Sequence, residues 1–236
     1  MKRSKPEKIS RRDILKLSPV VLLAGCDVAP EGSTETFLRS VQHFNDWVQT
    51  KVFDPSMLAK EYADSELTPE DGFRVNGKDD EDPEIDLENW SLSIEGLVNK
   101  PGMFSLEQIT SMPKRVMNTR HCCVEGWSMI PKWGGTPMKN LLNLAGADPE
   151  AKYIKVECED DYYTSYDMPS AMHEQTLLCY EAYNKPLTVS HGAPLRIVMP
   201  VKLGYKSAKW INKLIVTNEK PGGYWEDEGY DWFAGI

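Results

Sequence analysis

The chain has 236 residues, a formal net charge of −9 and 41 % hydrophobic residues. So acidic a balance argues against a nucleic-acid partner, and the absence of repeats or low-complexity spacers leaves one core-forming domain with an N-terminal extension. Taking away residues 1–26, which hold seven Lys/Arg and two Asp/Glu, moves the charge to −14.

Lys2, Arg3, Lys5 and Lys8 lead into Ser10-Arg11-Arg12-Asp13-Ile14-Leu15-Lys16, which resembles a twin-arginine export signal. The apolar run at 17–24 is shorter than the roughly 20 residues a bilayer crossing needs. Leu23-Ala24-Gly25-Cys26 looks like a bacterial lipobox, which would make Cys26 the lipidated first residue of the mature chain, with Asp27 resembling an inner-membrane retention signal. Phe37, Leu38, Val41, Phe44, Val48 and Val52 recur at helical intervals and predict an amphipathic helix from 36 to about 53, packed on the body and stopped by Pro55. Acid gathers at Asp79-Asp80-Glu81-Asp82 with Glu84, Asp86 and Glu88, and again at Glu226, Asp227, Glu228 and Asp231. Both runs read as solvated surface, with docking of a basic electron-transfer partner as the other use.

The alternation Trp90-Ser91-Leu92-Ser93-Ile94 predicts a half-buried strand, and 96–102 its turn. Ser105 with Gln108 predicts a capping box on a short helix that Pro113 closes. Thr136-Pro137 predicts an N-cap and first helical position for the apolar segment 138–145, ended by Gly146. Strands follow at 153–158, 195–199 and 210–217, which completes an α+β pattern with the candidate site residues in or beside loops.

Reactive side chains crowd into Arg120-His121-Cys122-Cys123-Val124-Glu125-Gly126-Trp127-Ser128. A thiolate here suits a nucleophile, a redox thiol or a soft metal ligand, and the local residues leave all three open. Cys122, Cys123, Cys158 and Cys179 do not look like a disulfide framework, since the adjacent pair is poorly placed to bridge. His43, His121, His173 and His191 lack zinc-ligand spacing.

The order of the blocks narrows the choice. Trp90-x-Leu-x-Ile-x-Gly-Leu-Val, then 106–112, Cys123 and Trp133-Gly134-Gly135-Thr136-Pro137, are followed by His191-Gly192-Ala193-Pro194-Leu195-Arg196 and Gly204-Tyr205-Lys206-Ser207-Ala208-Lys209-Trp210. Over residues 85–217 this run resembles the molybdopterin-binding domain of the sulfite oxidase family. Phe44-Asn45-Asp46-Trp47 with Gln49 is similar to its small bacterial exported members, among them periplasmic methionine-sulfoxide reductases. The chain then divides into a signal at 1–26, an extension at 27–84, the cofactor domain at 85–217 and an acidic aromatic tail at 218–236.

The resemblance implies mixed sheets with short surrounding helices, a molybdenum–molybdopterin cofactor, and oxygen-atom transfer by S-oxide or N-oxide reduction or by sulfite-type oxidation. It implies that Cys123, standing before Val-Glu-Gly-Trp, ligates the metal in preference to Cys122. It places Arg196 and Lys209 on the pterin phosphate, the Ser207 and Ala208 amides in the same cradle, and His191 in a polar contact to the cofactor. Cys158 coincides with a pterin-contacting position. Asn76 matches a pterin-binding asparagine, although Gly77-Lys78-Asp79 replaces the aromatic residues expected after it. Arg120 and His121 are the catalytic neighbours, and Lys202, Lys206, Tyr162, Tyr163 and Tyr205 are the groups available to an anion pocket. Sulfite demands several arginines, whereas sulfoxide-reducing relatives keep a more open, less basic site and draw on a membrane cytochrome b. A periplasmic enzyme held at the inner membrane through Cys26, served by that or a soluble cytochrome, is the resulting expectation. The alternatives are a non-catalytic lipoprotein binding or assembly module on the same fold, and thiol redox chemistry by Cys122 and Cys123.

Overall fold

The computed structural model describes residues 32–78 and 81–236. The twin-arginine segment, the apolar run at 17–24, Cys26 and the acids at 79–80 lie outside the described residues. The described residues fall into two compact units, 32–47 and 48–236. Helix α1 (Ser33–Val52) realises the predicted periodicity, with Arg39 bridged to Glu35 one turn earlier. Its stripe is not buried as expected: Phe37, Leu38, Val41, Phe44 and Trp47 are exposed, while Asp46 is buried.

In residues 48–236 one mixed sheet runs in the order β2 (Gly102–Ser105), β1 (Ser91–Gly96), β12 (Ile211–Thr217), β7 (Tyr153–Cys158), β8 (Tyr163–Asp167). Only β1 and β12 pair in parallel in this sheet, Ile94 opposite Leu214. The alternation at 91–94 puts Leu92 and Ile94 into the main core with Leu141, Leu142, Ile154, Val156, Leu214 and Val216. The Ser105 capping box forms as predicted: the Gln108 amide donates to Ser105 Oγ at 3.2 Å and the Ser105 amide to Gln108 Oε1 at 2.8 Å, opening α2 (Leu106–Thr110). Helix α3 (Met138–Ala145) ends at Gly146 as expected, but Thr136 does not cap it. Thr136 is a strand residue whose hydroxyl donates instead to the Pro113 carbonyl at 3.1 Å.

A second sheet, in keeping with the expected mixed sheets, contains strands at 115–118, 132–137 and 177–182 that were not read in the sequence. It orders β10 (Lys185–Pro186), β9 (Leu177–Ala182), β6 (Lys132–Pro137) and β3 (Arg115–Asn118), with β11 (Arg196–Val198) also on β9. Gly134-Gly135 reads as a loop in the sequence, yet it is the middle of β6. A Cβ on Gly135 would stand 2.3 Å from the Leu178 carbonyl oxygen, so the pairing of β6 with β9 admits only glycine there. A hairpin of β4 (His121–Cys122) and β5 (Ser128–Met129) carries the reactive loop between its strands.

Of the C-terminal acids, Asp227 and Glu228 are exposed as expected, but Glu226 and Asp231 are not a solvated face. On α4 (Tyr224–Asp227) Glu226 pairs with Lys206, their side chains 4 % and 1 % exposed, and Lys206 also donates to the Ser165 carbonyl at 3.1 Å. Asp231 accepts from Gln49 at 2.9 Å, and Asp227 from the Tyr163 hydroxyl. Glu226→Leu should cost about 3–5 kcal/mol by stranding a buried ammonium, whereas Lys206→Met with Glu226→Leu should recover most of the loss. Guanidinium unfolding midpoints of the three proteins check this, and a double variant as unstable as the single would refute it.

Candidate functional site

The loop of the β4–β5 hairpin, the turn at 204–210 and the C-terminal segment enclose a cavity of about 200 Å³. Cys123 lines it. The Cys123 amide donates to the Trp127 carbonyl at 2.9 Å and the Gly126 amide to the Cys123 carbonyl at 3.1 Å, which curls the loop around the sulfur. The Glu125 and Val124 amides hydrogen-bond the sulfur, and Asn76 Nδ2 lies 3.7 Å from Sγ. Those donors favour a thiolate, while burial, with the Glu125 charge adding to it, pushes the free thiol up. A metal that takes this sulfur must displace a proton. Cys122 pairs with Ser128 in the hairpin and is not on the cavity wall.

His121 stands beside Cys123 with its ring 6.0 Å from that of Trp127 and 6.4 Å from that of Trp133. Burial, seconded by the Arg196 charge, drives its pKa down to about 3, so the imidazole is neutral and adds a polar contact without a charge. A Cβ on Gly204 would stand 2.7 Å from His121 Nε2; the turn at 204–206 approaches this ring only because it begins with glycine.

Arg196, the first residue of β11, is buried. Its guanidinium lies 5.1 Å from the Trp133 ring centre, Nη1 donates to the His191 carbonyl at 2.9 Å, Nη2 to the Ser207 carbonyl at 3.2 Å, and Nε has no partner. Among the described residues no carboxylate neutralises it, and burial lowers it to about 10. Lys209 Nζ donates to the Ser190 carbonyl at 3.0 Å and lies over Trp210; burial first, then Arg196, lower it to about 8. Two desolvated cations face one cavity, Lys209 under the charges of Asp82 and Asp160 and Arg196 with no described carboxylate against it, an arrangement that an anion completes. Ser207 and Ala208 line the cavity, but not as the expected amide cradle. The Ser207 amide donates to the Gly204 carbonyl at 2.9 Å, and that of Ala208 to the Tyr166 hydroxyl. His191 stays behind the wall, stacked 3.9 Å from Phe73 and bonded to its carbonyl and to Thr188.

Other expected residues lie elsewhere. Arg120 is exposed, 5.5 Å over the Tyr62 ring, because its strand neighbour His121 takes the inward side. Cys158 is buried at the end of β7 and borders a separate, more open polar hollow together with Tyr163. Lys202 is buried 3.7 Å from Asp167 and over Phe233, with burial lowering it to about 7, and Lys206 is held by Glu226. The cavity's remaining walls come from Trp127, Tyr205, Trp225 and Tyr230, with Tyr162, Lys78 and Asp160 at its edge. Trp225 and Tyr230 were read as tail. Their rings are 5.3 Å apart, and the Tyr230 amide donates to the Trp225 carbonyl at 3.0 Å. The density of aromatic residues from 224 to 233 was the available signal.

Residues 80–225 match the oxidoreductase molybdopterin binding domain, a span that runs past the expected boundary at 217 and takes in Trp225. The chain is similar to the "Putative protein-methionine-sulfoxide reductase subunit YedZ1" of Azospira oryzae, at 43 % identity over 94 % of this chain and 84 % of that one. It is similar to the protein-methionine-sulfoxide reductase catalytic subunit MsrP of Campylobacter jejuni, at 30 % identity over 98 % of this chain and 82 % of that one. Among solved structures it resembles the sulfane dehydrogenase SoxCD of Paracoccus pantotrophus, with a TM-score of 0.54 and 25 % identity, over 58 % of this chain and 40 % of that one.

Proposed function

The chain belongs to the family of oxidoreductases with a molybdopterin binding domain, and from that premise we propose that it is the catalytic subunit of an S-oxide reductase acting on methionine sulfoxide. It is a molybdopterin-dependent enzyme of oxygen-atom transfer. The residues fit the cofactor. The unpartnered Nε of Arg196, with Lys209, awaits a phosphate, and Cys123, flanked by hydrogen-bond donors, is a soft ligand for molybdenum. When bound, the molybdenum–pterin group supplies the two-electron couple and the position at which an oxygen atom changes hands.

The observation that carries the choice of substrate is the composition of the cavity once Arg196 and Lys209 are set aside for the phosphate. The expected anion-pocket cations are absent from it: Lys202 and Lys206 are buried against carboxylates and Arg120 points away. The rest of the wall is Trp127, Tyr205, Trp225, Tyr230, a neutral His121, the carboxylate Glu125 and, at the edge, Lys78, whose charge acts on Asp160 beside it. A sulfite dianion would meet a negative charge and little to balance it, whereas a neutral sulfoxide with an apolar chain suits aromatic walls and a neutral polar contact. Asn76 and the loop amides orient the sulfur of Cys123, which opens onto the aromatic-lined cavity. The names of the relatives support the same substrate, and the "subunit" in them supports a membrane electron donor. Export by the twin-arginine route and tethering at Cys26 would put the enzyme beside that donor.

The test is a panel on the molybdenum-loaded enzyme, with reduced viologen as donor for methionine sulfoxide, dimethyl sulfoxide and trimethylamine N-oxide, and ferricyanide as acceptor for sulfite. The expected result is a kcat/KM for methionine sulfoxide roughly 100-fold or more above that for sulfite, about 3 kcal/mol of transition-state discrimination. The reverse ratio would assign the chain to sulfite-type oxidation. Lys209 adds a pH dependence. With its free-state pKa lowered to about 8 and an anion raising it on binding, anion affinity is full below pH 8 and falls as pH rises through it, by up to about tenfold per unit. Calorimetry of the cofactor-free protein with a phosphate monoester, dianionic throughout that range, measures this slope, and Lys209→Met should flatten it.

A further inference from the structure

Helix α1 carries its apolar side outward. At 3.6 residues per turn Phe37, Val41, Phe44 and Val48 form one stripe flanked by Leu38 and Trp47. Phe37, Leu38, Phe44 and Trp47 are 65 %, 59 %, 61 % and 58 % exposed, and the Phe44 and Trp47 rings stack 6.1 Å apart. The polar side holds the buried Asp46 and, in the last turn, Gln49, which donates to Asp231 at 2.9 Å and accepts from the Gly235 amide at 3.0 Å. A contiguous apolar helix face of this kind marks an interaction surface. No described helix is long and apolar enough to cross a membrane, so the stripe is not part of a span.

What precedes the helix identifies its occupant. Six residues, 27–32, separate the lipobox cysteine Cys26 from Ser33. Fully extended they reach roughly 20 Å, so a lipid on Cys26 would hold the helix within that distance of the bilayer. Held that close, an exposed apolar helix face meets the interface at a high local concentration and adds its own buried area to the attachment. The two acids and two bases of the helix cancel, and its aromatic residues Phe37, Phe44 and Trp47 are of the kind that settle at the headgroup boundary. We infer that α1 lies flat in the bilayer interface with Phe37, Val41 and Phe44 among the acyl chains and Trp47 at headgroup level, a second attachment independent of the lipid.

The test uses the holoenzyme of mature length, residues 27–236, carrying no lipid, with vesicles of phosphatidylcholine with and without phosphatidylglycerol. Co-sedimentation should show partition onto neutral vesicles, and the difference in emission between the protein and its Trp47→Phe variant should shift to the blue on binding. Phe37→Glu with Phe44→Glu should weaken partition by roughly 30-fold or more while helix content and turnover with a soluble donor stay unchanged. Phosphatidylglycerol should give no gain, because the helix is neutral and the mature chain carries −14. Equal partition of variant and parent, or no partition at all, would overturn the inference. So would a dimer in sedimentation that Phe44→Glu dissociates, which would assign the stripe to a second copy. Because the protein tested carries no lipid, none of these outcomes depends on whether Cys26 is acylated.

Discussion

Cys123→Ala should abolish S-oxide turnover, by roughly a thousand-fold or more, while the protein folds and retains most of its pterin. The reason is a separation of tasks in space. Cys123 is held by its own loop, through the Trp127 carbonyl and the donors around Sγ, whereas the anion site is built by Arg196 and Lys209 on and beyond β11. Removing a soft ligand changes the metal's electronic character and leaves the phosphate contacts intact. Pterin fluorescence after acid release and the unfolding midpoint measure retention and fold, and turnover with reduced viologen measures activity. Cys122→Ala should be close to the parent in all three, because Cys122 is off the cavity wall. Full activity in Cys123→Ala together with loss in Cys122→Ala would move the ligand by one residue.

Arg196→Ala should have the converse effect. A buried guanidinium whose Nε lacks a partner and which no carboxylate among the described residues neutralises is stabilised by the anion it receives. Without it the phosphate is undercompensated by about 2–5 kcal/mol, which is roughly 30-fold to several thousand-fold in affinity. Pterin and molybdenum content on purification should fall, and activity should fall in proportion, with activity per molybdenum near that of the parent. Arg196→Lys should restore only part, since an ammonium cannot reproduce the planar fork over Trp133 that also reaches the His191 and Ser207 carbonyls. A variant with full metal content and collapsed activity would place Arg196 in the substrate pocket instead and would revive an anionic substrate.

Features governed by short-range geometry were legible in the chain. The Ser105–Gln108 capping box, the inward alternation of Leu92 and Ile94, the helix periodicity at 33–52 and the end of α3 at Gly146 each depend on residues a few positions apart, and the structure places them where they were read. Cys123, Asn76, His121, Arg196, Ser207, Ala208 and Lys209 were legible as a group through their order along the chain, and one cavity gathers them. Strand β6 of the second sheet was not, because nothing in Lys132-Trp133-Gly134-Gly135-Thr136-Pro137 alternates, and only β9, packed at a distance that glycine alone tolerates, makes it a strand. Arg120 and Cys158 were misplaced, since neighbours in sequence point to opposite sides of a strand and only pairing decides which side is the cavity.

By itself, then, the amino-acid order determined the reactive loop, the thiol and the two cations that one cavity gathers, and the family, because these are matters of which groups exist and how they are spaced. Which charges remain available was decided only in three dimensions. Lys202, Lys206, Glu226 and Asp231 look like free surface charge in the sequence and are internal partners in the fold, while Arg196 looks like an ordinary surface arginine and is the buried cation that no described carboxylate neutralises. The physical reason is desolvation. A charge on a chain costs nothing until folding removes its water, and whether a carboxylate or a cavity then faces it depends on segments as distant as Gln49 and residues 226–235, which no local pattern brings together.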